Sequence, residues 1–154
     1  MTDFSALQSR VQPQHLEPAR IEFYRREAQK DPVGLVVLDD FLQRPVIDNV
    51  HRWLVDEARF DRRYGLYSTK VAQRSDWLRA SEEDRFFTYD VSIDVPPRHA
   101  MSPNWLTYLT LEHALGQRPS LEFFDAIADV PLTGIEPVHV HAHAPGDYLK
   151  IHND

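Results

Sequence analysis

Hydrophobic and polar positions follow two different periods along this chain, and the periods mark out its helices and strands. Residues 1–14 are polar, show no sustained period and read as a loose lead-in. Glu17-Pro18-Ala19-Arg20 opens a helix, with Pro18 tolerated in the first turn, that runs to about Gln29 and stops before Asp31-Pro32. Gly34 to Leu38 is short, aliphatic and partly β-branched, which predicts a buried strand. A helix follows from Pro45, where Ile47, Val50, Leu54 and Ala58 recur at steps of three and four and Trp53 widens the stripe. Residues 61–84 carry no sustained period and read as loop and short helix over a surface, a natural place for a lid.

Phe87, Tyr89, Val91 and Ile93 alternate with Thr88, Asp90, Ser92 and Asp94, the pattern of a half-buried strand, and Pro96-Pro97 ends it. Ser102-Pro103 caps and starts a helix that runs to about Leu115, before Gly116. Ser120 caps a second, shorter one with Leu121, Phe124 and Ile127 inward. Val138 to Ala144 and the run from Tyr148 to His152, joined by Pro145-Gly146, read as two antiparallel neighbouring strands. Early helices followed by antiparallel strands predict an α+β fold with the helices packed on one face of a sheet, and no boundary divides residues 1–154.

Composition narrows the function classes. The chain has 154 residues, is 42% hydrophobic and 27% charged, and belongs to ordinary globular material rather than to disordered chains. A formal net charge of −7 and the lack of any basic run argue against a nucleic-acid partner. The absence of cysteine excludes disulfides, thiolate metal sites and cysteine nucleophiles. No basic-then-apolar leader opens the sequence, and the longest aliphatic run, Val33 to Leu38, is too short to span a membrane. The expectation is a soluble, cytoplasmic protein with no membrane partner.

The chemistry-bearing residues concentrate at the end of the sequence. On a strand, Tyr148, Lys150, His152 and Asp154 share one side, while Leu149 and Ile151 share the other. A His and an Asp at i and i+2 can converge on one ion and supply two legs of a 2-His-1-carboxylate Fe(II) site, which leaves positions open for a co-substrate and oxygen. A solvated polar strand end is the plain alternative. Upstream, His139, His141 and His143 occupy one face of a strand. Three such positions span about 13 Å at roughly 3.3 Å per residue, so at most two can bind one ion, and lining a cavity or an exposed face is the simpler reading. No Gly-x-Ser-x-Gly elbow, paired-carboxylate signature or phosphate-binding glycine loop is present.

With these residues in view, a family resemblance emerges. Val33-Gly34-Leu35-Val36-Val37-Leu38-Asp39-Asp40-Phe41-Leu42 and the amphipathic helix after it resemble the opening of bacterial prolyl-4-hydroxylase-like 2-oxoglutarate, Fe(II)-dependent oxygenases. Phe123-Phe124, Leu132-Thr133-Gly134 and Pro145-Gly146-Asp147-Tyr148-Leu149-Lys150-Ile151-His152-Asn153-Asp154 extend the likeness in the family's order. It implies a double-stranded β-helix, of which residues 1–154 would be the N-terminal part of a single oxygenase domain. It implies His152 and Asp154 as Fe(II) ligands, and His143 and Tyr148 on the 2-oxoglutarate side. The family often carries a tyrosine nine residues before the ligand histidine, and here that position is His143. The family's third ligand and its basic residue for 2-oxoglutarate map nowhere in residues 1–154, so the resemblance implies that the remainder of the domain follows or is a separate chain. The substrate would be a small molecule or a peptide, and the segment alone would be inactive. The alternatives are a non-catalytic binding module on a partial jelly roll and a metal-binding protein built on the histidine cluster.

Overall fold

The computed structural model describes residues 4–93, 101–134 and 140–150. In chain order its elements are α1 (Ser5–Gln8), a 3-10 turn (Pro13–Leu16), α2 (Pro18–Lys30), α3 (Arg44–Arg52) continuing into a π turn (Trp53–Glu57), β1 (Phe60–Leu66), α4 (Arg74–Arg79), β2 (Arg85–Ser92), α5 (Pro103–Leu115), α6 (Arg118–Ala128), β3 (His141–Ala142) and β4 (Tyr148–Leu149). The fold is α+β, with an antiparallel four-stranded sheet. The chain divides into two compact units: a helical one, up to Glu57 and again from His99 to Val138, and a sheet unit, from Ala58 to Arg98 and from His139 onward.

In the helical unit, α2 packs on α6 and α3 on α5. Its core joins Leu7, Val11, Tyr24, Phe123 and Ile127, with Phe41, Leu42 and Phe124 packed around them. The N-terminal stretch is therefore no loose lead-in. Leu7 and Val11, four residues apart and so on one side of a helical turn, are both completely buried. Gln43 holds this turn in place, its side-chain amide donating to the carbonyls of Gln8 at 2.9 Å and Val11 at 3.1 Å. The sparse period of a single turn hid these two apolar residues among polar neighbours.

The apolar run at 34–38 belongs to no strand. Val36 and Leu38 pack on the core, while Val33, Leu35 and Val37 are 86%, 64% and 67% exposed. The Asp31 carboxylate accepts the amides of Val33 at 2.9 Å and Leu35 at 3.0 Å, and Gly34 turns through a positive φ of 75°. That Asx-type turn starts the segment without a sheet partner among the described residues. α3 begins beside Pro45 as expected, but Val46 and Trp53 are buried and Ile47 is not. Trp53 stacks on Tyr108 with ring centroids 4.1 Å apart, and the widened π turn begins at Trp53. Ser102 caps α5, accepting the Trp105 amide at 3.0 Å. α6 starts two residues before its expected cap. Ser120 lies inside it, buried, with its hydroxyl on the Ala114 carbonyl at 2.5 Å, and Phe123 is deeper than Phe124.

In the sheet unit, β2 is central. β1 pairs one edge, from Phe60 opposite Ser92 to Leu66 opposite Arg85, with a bulge after Gly65. Residues 60–66 thus form a strand where a loop was expected. Phe-Asp-Arg-Arg-Tyr-Gly-Leu has too few apolar residues to show a period of two, and backbone pairing to β2 sets its conformation instead. β3 and β4 both pair the other edge of β2, Val91 with His141 and Asp90 with Ala142, then Thr88 with Tyr148 and Phe87 with Leu149. Both run antiparallel to β2, so they are successive pieces of one interrupted strand rather than neighbours of each other. Ala144-Pro145-Gly146-Asp147 does not reverse the chain. It loops out as a β-turn closed by the Asp147 amide on the Ala144 carbonyl at 2.9 Å, with Gly146 at φ 94° as a type II turn requires.

Candidate functional site

Pairing along β2 sorts the side chains of the sheet onto two faces. Residues opposite each other share a face, and successive residues alternate. One face holds Arg62, Tyr64, Thr88, Asp90, Ser92 and Tyr148. The other holds Phe87, Tyr89, Val91, His141 and Leu149. Thr88 and Ser92 are buried, whereas Ile93 is 43% exposed, so the half of the strand expected to be wet is the more covered one.

Arg62 organises the polar face. Its Nε donates to Asp90 at 2.8 Å and its Nη1 to the Asp147 carboxylate at the looped-out turn. Asp147 also accepts the Ala144 amide at 2.8 Å. These contacts tie the three strands together at the turn. The Ala144 amide first, and the Arg62 guanidinium after it, hold the Asp147 carboxyl below the usual carboxylate range; the same ion pair raises Arg62. Beyond this clamp, Trp77 of α4 packs against Tyr64 at 5.4 Å and Tyr148 at 6.4 Å, and the Arg85 guanidinium lies 4.5 Å over its ring. Burial pushes the Tyr148 phenol up. Trp77 Nε1–H is buried and has no hydrogen-bond partner among the described residues. An unmet donor beside a tyrosine is an opening for an acceptor oxygen.

On the opposite face the rings of His141 and His143 both lie against Tyr89, with centroids 4.3 and 5.4 Å from it, and 6.4 Å from each other. Both imidazoles are exposed. Burial raises the Tyr89 phenol.

Of the expected site residues, the expected iron ligands His152 and Asp154 lie outside the described residues, as does His139. Tyr148 and His143 are described and stand on opposite faces of the sheet, Tyr148 with Thr88 and His143 with Tyr89. The described residues hold no group of three or more His, Asp or Glu side chains that could bind one metal. Arg62, Asp147 and Trp77 escaped the sequence reading. Asp147 carried a signal, as the last residue of a Pro-Gly turn, while Arg62 and Trp77 sat in a stretch whose strand was invisible.

The helical unit carries an open groove of about 550 Å³ between α2 and residues 31–39, lined by Arg20, Phe23, Leu35 and Val37 among others. Beneath it, buried His15 sits 2.5 Å from the Tyr24 hydroxyl through Nδ1 and 3.3 Å from the Asp40 carbonyl through Nε2. A carbonyl only accepts, so Nε2 carries the proton and Nδ1 accepts from Tyr24, whose oxygen in turn takes Arg20 Nε–H at 2.9 Å.

No helix among the described residues is long and apolar enough to cross a membrane. Compared with known proteins, the chain matches no family model, no curated protein and no solved structure.

Proposed function

We propose that residues 1–154 are part of an Fe(II)/2-oxoglutarate-dependent dioxygenase that hydroxylates or otherwise oxidises an amino-acid, peptidyl or natural-product substrate, on a double-stranded β-helix. His152 and Asp154 would hold the iron. The third ligand, and a basic residue for the 2-oxoglutarate carboxylate, would come from outside residues 1–154. When bound, iron and 2-oxoglutarate supply the oxidising chemistry, with oxygen consumed and succinate and carbon dioxide released.

The observation that carries the reading is the polar, partly covered face reached by Tyr148. Thr88 and Ser92 are buried there, and Trp77 Nε1–H stands unmet among the described residues beside Tyr148. A bound carboxylate is the chemistry that would satisfy such a donor. The residues present thus suit an anionic co-substrate at this face. Tyr148 and Trp77 would orient it, and the aromatic cover would limit water. His143 stands on the opposite face, against Tyr89 and away from Tyr148.

The test is 2-oxoglutarate turnover by the full natural protein. Succinate should form with Fe(II) and fall to background in His152→Ala and in Asp154→Ala, and residues 1–154 alone should form none. Undiminished succinate from either variant would overturn the reading. A second reading, a non-catalytic binding module, draws on the groove beside exposed Leu35 and Val37; it predicts no succinate under any condition.

A further inference from the structure

The face of the sheet that carries His141 holds a second arrangement of ligand-type side chains. His141 is paired opposite Val91, and its ring stacks on Tyr89 at 4.3 Å with an interplanar angle of 18°. His143, two residues on, leans on the same tyrosine, and the two imidazole centroids are 6.4 Å apart. We infer that His141 and His143 form a two-histidine chelate for a late first-row divalent cation such as Zn(II), Ni(II) or Cu(II).

Three observations lead there. First, both residues are exposed, and their rings lie on one side of the chain against Tyr89. Second, the spacing is nearly right. A nitrogen ligand sits about 2.0–2.1 Å from the metal, which puts each ring centroid roughly 3 Å from it and two tetrahedral imidazoles roughly 5 Å apart. Closing the observed 6.4 Å to that value takes about 1 Å of rotation by surface side chains. Third, Tyr89 supports both rings and lowers the ordering cost that usually weakens surface chelates. Neutral imidazole prefers Zn, Ni and Cu to hard cations such as Mg(II) and Ca(II), and two nitrogens leave the remaining positions to water. Binding would bridge β3 to the start of the type II turn, and so brace the interruption between β3 and β4.

The experiment is calorimetric titration of the intact chain with Zn(II) alone, repeated with Ni(II), alongside the Cu(II) electron paramagnetic resonance spectrum. His141→Phe keeps a ring on Tyr89 while removing the ligand, and His143→Phe does the same at the second position. Each should weaken Zn(II) binding by at least about tenfold, a cost that the loss of an outer-sphere contact alone can reach. Each should also remove one imidazole nitrogen coupling from the Cu(II) spectrum. All titrations are run in the His152→Ala/Asp154→Ala background, because the proposed iron ligands would also take Zn(II), Ni(II) and Cu(II); one equivalent of Zn(II) should still bind there, whether or not the iron reading holds. In that background, Zn(II) affinity unchanged by both phenylalanine substitutions, or no Zn(II) binding at all, would overturn the assignment.

Discussion

Leu7→Ala decides whether the N-terminus is structure or lead-in. Leu7 is fully buried, in the cluster with Val11, Tyr24, Phe123 and Ile127. Truncation to alanine removes three carbons, worth about 2.4 kcal/mol at roughly 0.8 kcal/mol each. The space left behind adds a cavity cost, and measured Leu→Ala changes in closed cores run about 2.7–5 kcal/mol. Because α1 is a single turn close to the chain end, partial collapse should keep the loss near the low end, about 3 kcal/mol. For a chain of 154 residues that corresponds to a fall in Tm of about 6–12 °C. Urea unfolding followed by far-ultraviolet circular dichroism and tryptophan fluorescence reads it directly, as a lower midpoint at constant slope. A loose lead-in would give a change within about 0.5 kcal/mol, the usual value for a surface position, and that result would refute the packing described above.

Three further outcomes follow from the same geometry. Gly65→Ala would place a methyl group against the Phe87 ring and 2.7 Å from the Lys70 carbonyl, so it should cost about 1–3 kcal/mol, with partial rescue by Phe87→Leu in denaturation experiments. Tyr24→Phe leaves His15 Nδ1 buried without its donor and should cost about 1–3 kcal/mol by the same assay, while the fold is retained. Asp147 is held below its unfolded value of about 3.9, so its contribution is present above that pH and is lost as pH falls through the lower folded value. Asp147→Asn should therefore flatten the acid limb of the stability curve below about pH 4 and leave its slope between about pH 6 and 8 unchanged; an unaltered acid limb would contradict the clamp.

How far the sequence could be read depended on whether burial and period coincided. α2 and α5 were legible because a proline at the first turn and, in α5, a serine cap mark their starts independently of packing. β2 was legible because apolar and polar residues alternate without a break from Phe87 to Asp94. The face it buries was not, since Thr88 and Ser92 are buried although they are polar. At residues 34–38 the converse holds: apolar composition predicts a buried strand, yet the Asp31 turn leaves Val33, Leu35 and Val37 outward. β1 and the single line of β3 and β4 depend on pairing to β2, which no local period encodes. The candidate site divided likewise. Tyr148 and the histidine stripe could be read from spacing, whereas the Arg62 clamp and the unmet Trp77 donor arise from contacts between residues far apart in sequence.

We propose His152 and Asp154 as iron ligands. The most direct test is Fe(II) binding to the 154-residue chain under anaerobic conditions, with and without 2-oxoglutarate, in the natural sequence and in His152→Ala and Asp154→Ala. Binding should be weak, strengthened by 2-oxoglutarate and abolished by each substitution, because a two-ligand site loses half its protein donors with either change. Fe(II) binding that is indifferent to both substitutions and to 2-oxoglutarate would contradict the proposal.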